Sequence, residues 1–389
     1  MKKKIAILGS TGSIGKTTLN IVKKNKKDFE IILLTTNKNI KKILKQSKEF
    51  NVKNIIVTSN YHFKKLKKKN INKNLKIYNS FKNLKKIFKT KIDYSMCAIS
   101  GIDGLKPTFD MIKFSKNIGI ANKESIICGW SLINKEIKKN KTNFIPIDSE
   151  HFSIWSLIKN DIHKIDQIIL TASGGPFLHK SKKFINKAKP EDALNHPNWS
   201  MGQKISVDSA TMMNKVFELI EAKKIFNLNK KKFTILIHPK SYIHAIVKYE
   251  NGLIKLLAHD TEMSIPIFNF FYHDRSKKIF SKPINLTLLN NLSFSQPNIK
   301  NFPSLKVLKS IPKNDTLFET ILITVNDELV KSFLKNKIKF NDISQHLLKI
   351  IKIKELRKYI YKRPINIKEI LKTMNLSKHI TIKFLKKNA

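Results

Sequence analysis

Lys4-Ile5-Ala6-Ile7-Leu8-Gly9-Ser10-Thr11-Gly12-Ser13-Ile14-Gly15 is the stretch that decides the fold. Residues 4–8 are a short apolar run with the pattern of a buried strand. A glycine-rich turn follows, and then apolar residues at helical spacing through Leu19, Ile21 and Val22. Residues 29–34 repeat the strand pattern, so the chain opens β-turn-α-β. Glycines let a backbone approach a pyrophosphate closely, and a helix N-terminus favours its negative charge. The placement between strand and helix lifts the pattern above a lone glycine motif. The plainer alternative is a helix N-cap turn in an unrelated α/β protein.

The second strand runs into Thr35-Thr36-Asn37-Lys38-Asn39. An NAD enzyme usually places Asp or Glu here to hold the ribose 2′-hydroxyl. None is present, and Lys38 suits a 2′-phosphate, so NADP is favoured over NAD. In so lysine-rich a chain the missing carboxylate carries more weight than Lys38.

Working outward, strand-like runs recur at 54–58, 93–99, 117–121 and 143–147. Lysine-rich stretches at 62–76 and 82–91 carry apolar residues at helical spacing and read as solvated helix faces and loops. Alternating β and α predicts an α/β fold, with an N-terminal Rossmann-like, doubly wound parallel sheet. After Glu150 the texture changes. Residues 168–177 read as a strand and a Gly-Gly-Pro turn, 193–218 are dense in polar and small residues, and 233–258 read as two strands. This predicts a second, mixed α/β catalytic domain. Residues 276–303, with Pro283, Pro297 and Pro303, read as a linker. Helices near 315–335, 341–353 and 366–373 then make a small C-terminal helical domain. The expected division is 1–149, 150–275, linker 276–303, and 304–389.

The bulk numbers agree with several domains. A chain of 389 residues exceeds one compact domain, and 41% hydrophobic content fills sizeable cores. The net charge of +48 points towards nucleic acid or an anionic membrane. Two observations argue otherwise. Arg275, Arg357 and Arg363 are the only arginines, whereas base-edge and bidentate phosphate recognition favours the guanidinium fork. Lys, Asn, Ile and Phe, whose codons are rich in A and T, are also inflated together, which fits drift of base composition. No specific nucleic-acid partner is expected. Cys97 and Cys128 form no metal-like spacing and read as small buried hydrophobes. No apolar run approaches the ~20 residues that span a bilayer. The first strand begins at once, which leaves no room for a leader, so a cytoplasmic location without membrane attachment is expected.

Four further motifs carry chemistry. Ala121-Asn122-Lys123-Glu124-Ser125 falls at the carboxyl end of a strand, where open α/β sheets bind ligands; an Asn-capped helix start explains it equally well. Ile147-Asp148-Ser149-Glu150-His151 follows an apolar run read as a strand, which would point Asp148 and Glu150 the same way. Two adjacent carboxylates need a cation or a shared proton, and oxygen-only ligands favour Mg²⁺ or Mn²⁺. A solvated strand end is the alternative. Thr171-Ala172-Ser173-Gly174-Gly175-Pro176-Phe177 offers a hydroxyl and backbone amides to a phosphate, although a plain tight turn explains it as well. The densest stretch is His196-Pro197-Asn198-Trp199-Ser200-Met201-Gly202, then 206–215, with Glu218 beyond. Asn214, Lys215 and Glu218 fall within about one helical turn. Glu218 can complete a three-carboxylate site with Asp148 and Glu150. Trp199 and Met201 stand on an expected loop that can close over a ligand and exclude water, unless Trp199 is simply core. His238 and His244, in the HPKSYIH segment 238–244, border a strand and read as structural.

Taken together, GSTGSIG, ANKES, DSEH, SGGPF, HPNWSMG, KISVDSATMMNK with its following Glu218, and HPKSYIH resemble the signatures of the 1-deoxy-D-xylulose 5-phosphate reductoisomerase family. The likeness runs from about residue 3 and thins in the C-terminal helices. It implies skeletal rearrangement of the sugar phosphate and reduction by NADPH to 2-C-methyl-D-erythritol 4-phosphate, an isoprenoid precursor of the non-mevalonate pathway. By motif position it implies that Asp148, Glu150 and Glu218 bind Mg²⁺ or Mn²⁺, and that Lys123 and Ser149 contact the substrate's oxygenated end. It gives Ser173, His196, Ser209, Asn214 and Lys215 to the hydroxyls and phosphate. It gives Thr11, Gly12, Ser13, Ile14, Asn37, Lys38, Asn39, Asn122 and Glu124 to NADPH, and Trp199 to a flap. It also implies a homodimer. Two positions depart from the family pattern: Asn37 stands where Gly is usual, and Ser264 follows Met263 where Arg is usual.

Overall fold

The structure, a computed structural model, describes residues 1–68, 74–199, 201–274 and 277–388. The chain forms two compact units. The first comprises Met1–Ile126, Ile133–Asp148 and Met263–Ile279; the second comprises Ile127–Leu132, Ser149–Glu262 and Phe280–Ala389.

The first unit is built on seven parallel strands: β1 (Lys3–Leu8), β2 (Phe29–Thr36), β3 (Asn54–Val57), β4 (Lys76–Tyr78), β5 (Ile92–Cys97), β6 (Ser115–Ile120) and β7 (Asn143–Pro146). Their order is β4-β3-β2-β1-β5-β6-β7, the doubly wound arrangement expected. The strand order reverses at β1, and a topological switch point is where such sheets bind ligands beyond the carboxyl ends. Ile5, Ala6, Ile7 and Leu8 are fully buried, as a strand covered on both faces requires. One element departs from expectation. Lys76–Tyr78, where no strand was expected and whose first residue ends the 62–76 stretch read as helix and loop, is the edge strand β4. Three residues, one of them an exposed lysine, are too few to show a period of two. The helix Ser264–Phe271 belongs to this unit although it lies far along the chain. Its Phe271 ring lies 5.2 Å from Phe29 and 5.3 Å from Tyr94, and the neighbouring Tyr272 hydroxyl donates to Asp28 at 2.6 Å.

The second unit holds β8 (Ile165–Ala172), β9 (Phe233–Ile237), β10 (Ile243–Tyr249) and β11 (Ile254–Ala258), in the order β11-β10-β8-β9. β8 and β9 pair parallel; the other pairs are antiparallel. The sheet is mixed, as expected, but 233–258 holds three strands rather than two. The turn between β10 and β11 is tight, with Gly252 at φ 88°, and the burial of β11 alternates, so its apolar residues blend with those of β10. The stretch read as a linker carries a short helix, Leu286–Asn290, and a bridge from Ser295 to Ile237. Four helices follow: Phe318–Leu334, Phe340–Ile350, Lys354–Ile360 and Ile367–Lys387. The last runs well beyond the expected end near 373. Its buried face continues as Thr373, Ser377 and Thr381, where apolar spacing fails. The hydroxyls of Ser377 and Thr381 donate to the carbonyls of Thr373 and Ser377, which satisfies them inside the helix. Among the described residues no helix is long and apolar enough to cross a membrane.

Candidate functional site

In the first unit the glycine turn is held by its own backbone and by the end of β2. Gly9 sits at φ 83°, and a Cβ there would come within 2.5 Å of the Ala98 carbonyl oxygen. A Cβ on Gly15 would lie 2.4 Å from the Gly9 carbonyl oxygen, so the helix Ser13–Lys24 packs on the turn as only glycine allows. Gly12 caps that helix without a side-chain bond. Its first amides are therefore of the kind that receive an anion. The Gly9 amide donates to Thr35 Oγ1 at 2.8 Å, and the hydroxyls of Thr11 and Thr36 are 2.9 Å apart. Ser13 and Gly12 are exposed, and Thr11 and Ile14 half-buried. Asn37, Lys38 and Asn39 stand exposed past the end of β2. Asn39 accepts from the Lys42 amide at 3.2 Å and so caps the following helix. Asn37 is not in the left-handed region, so its replacement of a usual glycine needs no special backbone angle.

Asn122 is buried and caps the helix Lys123–Lys139, accepting from the Ser125 amide at 2.7 Å. Its amide donates to the carbonyls of Ile99 and Gly101 at 2.7 and 2.8 Å and to Glu124 at 3.0 Å. This fixes the loop after β5 and buries Glu124. Lys123, at the first turn of that helix, pairs with Asp148 at 3.3 Å.

Asp148 ends the second of the three segments of the first unit, and the helix Ser149–Ile158 begins the next segment of the second. This corrects one step of the sequence reading. β7 stops at Pro146, so Glu150 lies in the first turn of a helix, not on a strand face shared with Asp148. Serine and glutamate are favourable at a helix start, and the apolar run preceding them hid the boundary.

In the second unit the helix Met213–Ile225 carries Asn214, Lys215 and Glu218. Met212 precedes it at φ 63°, an uncommon angle for methionine, and turns the chain between this helix and Gln203–Ala210, which carries Ser209. Lys215 Nζ is 2.6 Å from Glu150 and is also paired with Glu218. Burial works against its charge, but the two carboxylates outweigh it and raise the Lys215 pKa. Oxygens of Glu150 and Glu218 lie within 4.8 Å of each other. Asn214 donates to Glu218, and Ser149 donates to Glu150. His151, which the sequence reading gave no role, is fully buried with Nε2 2.9 Å from the Glu218 carbonyl oxygen, tying the two helices together.

A second cluster surrounds His196. Nε2 lies 3.0 Å from Ser173 Oγ and 3.1 Å from Ser209 Oγ. Nδ1 accepts from the amides of Asn198 and Trp199 at 3.2 and 3.1 Å. These partners assign the proton to Nε2. Burial pushes the pKa down to about 4, so the ring is a neutral donor at working pH. The Gly175 amide donates to Ser173 Oγ at 3.1 Å, and Gly174 and Gly175 take φ 82° and 68°. Trp199 meets His244 edge-on at 6.0 Å. Met201 is half-buried, while Ser200 of the same motif lies outside the described residues. The structure thus gathers Ser173, His196 and Ser209 in one cluster and Ser149, Glu150, Asn214, Lys215 and Glu218 in another.

These features define a dinucleotide-binding α/β protein with a second unit that gathers two carboxylates around Lys215 and sets hydroxyls around a neutral imidazole. The 1-deoxy-D-xylulose 5-phosphate reductoisomerase family profile matches residues 5–129, and its C-terminal domain profiles match 144–226 and 259–380. The chain is similar to the 1-deoxy-D-xylulose 5-phosphate reductoisomerase of Pelagibacter ubique, with 58% identity over 98% of both chains. That of Wolbachia pipientis wMel is 37% identical over 91% of this chain and 89% of its own. The Zymomonas mobilis enzyme in complex with NADPH superposes with a TM-score of 0.88 at 30% identity, covering 99% of each chain. A reductoisomerase holding NADPH, fosmidomycin and magnesium gives 0.90 at 32% identity, over 99% of this chain and 98% of that one. The chain belongs to the 1-deoxy-D-xylulose 5-phosphate reductoisomerase family.

Proposed function

We infer that the protein converts 1-deoxy-D-xylulose 5-phosphate to 2-C-methyl-D-erythritol 4-phosphate with NADPH and a divalent metal, a step in isoprenoid precursor biosynthesis. The observation that carries this reading is the buried Lys215, held between Glu150 and Glu218, in a chain that matches the family from end to end. Two carboxylates gathered around one ammonium are a donor set built for positive charge, and their oxygen-only chemistry fits Mg²⁺ or Mn²⁺. Asp148, Glu150 and Glu218 would hold the ion. Thr11, Gly12, Ser13, Ile14, Asn37, Lys38 and Asn39 would hold NADPH, with Asn122 and Glu124 shaping the neighbouring loop. When bound, the metal supplies Lewis acidity to the substrate carbonyl and NADPH supplies the hydride.

The protein's own groups do the rest. Lys215 pairs with Glu150 and Glu218 and would hold them in place, and Lys123 would do the same for Asp148. Lys123 and Ser149 would orient the oxygenated end of the substrate. Ser173, Ser209, the neutral His196, Asn214 and Lys215 would bind hydroxyls and phosphate, and this remote binding energy orients the reacting carbons. Trp199 and Met201 would close over the site and exclude water. The Lys38 ammonium offers charge to a 2′-phosphate. A homodimer fits the open edge of β11, where Ile254 and Leu256 are 56% and 46% exposed. Buried thiols at Cys97 and Cys128 agree with a reducing cytoplasm.

The test is NADPH oxidation followed by absorbance, with and without Mg²⁺ or Mn²⁺, alongside Glu218→Gln. Metal-dependent turnover that the variant loses by about a thousandfold or more is expected. Well-folded protein that turns over with neither metal would sink the reading.

A further inference from the structure

The turn and strand start at 238–244, and His259 just past β11, have no part in the chemistry above. We propose that His259 is a positioning residue that seats the loop bearing Trp199, acting through the ring of His244. The proposal rests on the reductoisomerase reading only for what that loop closes over.

The loop touches this region at two points. The Asn198 side-chain Nδ2 donates to the Pro239 carbonyl at 2.6 Å and to Ser241 Oγ at 3.0 Å. Trp199 meets the His244 ring at 6.0 Å and 76°, the edge-to-face arrangement that aromatic pairs favour. Behind it, His244 lies flat on His259, with centroids 3.7 Å apart and planes within 14°. Ile243 pairs with Ala258, and an irregularity between Ile243 and Ala245 brings the next residues of the two strands together.

Both rings are fixed in plane. His244 Nε2 lies 3.0 Å from the His259 carbonyl oxygen, and His259 Nδ1 lies 2.7 Å from that of Asp260. A carbonyl only accepts, so these nitrogens carry protons. Burial, then the neighbouring His259, holds the His244 pKa down to about 3, and burial lowers that of His259. Two cations could not stack at this distance; two neutral rings can. His259 is 8% exposed, and its Nε2 is buried and makes no hydrogen bond within the described residues. Its contribution is therefore the stacked face, which an uncharged aromatic can reproduce. Without a ring at 259, His244 loses the surface that holds it upright, and Trp199 loses its edge contact.

The experiment compares wild type, His259→Ala and His259→Phe. Loss of one aromatic support is expected to raise the KM for the sugar phosphate by about three- to tenfold, with kcat within about twofold. In substrate-free protein, hydrogen exchange at the Asn198 and Trp199 amides, which donate to His196, should quicken by a similar factor. His259→Phe should restore both. If Ala does not fold, His259→Gln, planar but without a ring, takes its place. A variant with a lower melting temperature but unchanged KM and exchange overturns the proposal. Exchange is read without turnover: if wild type does not react yet the ring-less variant exchanges faster, the reaction reading fails and the seat stands.

Discussion

The glycine turn after β1 and the lysine–carboxylate cluster on the helix Met213–Ile225 meet charge in opposite ways. The turn contains no charged side chain. It offers backbone amides and a helix end, and steric clearance alone decides whether an anion can approach. The cluster buries Lys215 with Glu150 and Glu218, and pairing alone decides whether those charges can stay there. The turn should therefore be fragile to added atoms, and the cluster to removed charges.

Lys215→Met tests the cluster most severely. Removing one partner of a buried ion pair costs about 3–5 kcal/mol, because the other charges are left uncompensated. Urea denaturation should show a loss of that size. Millimolar Mg²⁺ should restore part of it, while NADPH affinity stays within about twofold. A loss under about 1 kcal/mol would mean that the carboxylates do not depend on the ammonium.

Gly15→Ala is the converse. Its Cβ would lie 2.4 Å from the Gly9 carbonyl oxygen and 2.5 Å from Ser10 Cα, backbone that cannot swing aside. Overpacking of this kind costs about 1–3 kcal/mol, so NADPH binding, followed by fluorescence titration, should weaken roughly tenfold. The effect of Mg²⁺ on stability should not change. Equal weakening of both sites would break the comparison.

Acid gives the smallest effect and separates the two regions again. Burial holds His196 at about 4 and, with His259, His244 at about 3, against about 6.5 in an unfolded chain. Between those values the unfolded state binds more protons. The stability these rings contribute is complete above about pH 6.5 and is lost as pH falls towards 4. Urea midpoints should decline over that window, while NADPH affinity per folded molecule should not follow the protonation of these rings, since neither lies in the glycine turn. A midpoint unchanged down to pH 4.5 would show that the buried rings are more accessible to protons than their contacts indicate.

Much of this was readable along the chain. The first β-turn-α-β unit, the absent carboxylate after β2, and the spacing of Asn214, Lys215 and Glu218 are local patterns, and local patterns survive in sequence. Edge strand β4 was hidden because three residues carry no period, and the last helix was cut short because Thr373, Ser377 and Thr381 bury hydroxyls where apolar residues were sought. The strand face read for Asp148 and Glu150 does not exist, since a helix begins between them. His151, Asn198 and the His244–His259 stack left no local signal. Their partners lie 15 to 67 residues away, and only strand register or helix packing brings them together.

By itself the sequence determined the doubly wound sheet, the glycine turn and the chemical types of the site residues, because each depends on periodicity or spacing within a few turns of chain. Tertiary structure alone decided that Lys215 sits between two carboxylates, that His196 stays neutral between two serines, and that Ser264–Phe271 packs with the first unit. Burial and pairing of charge depend on what surrounds a residue in space, and the order of residues along the chain does not encode that directly.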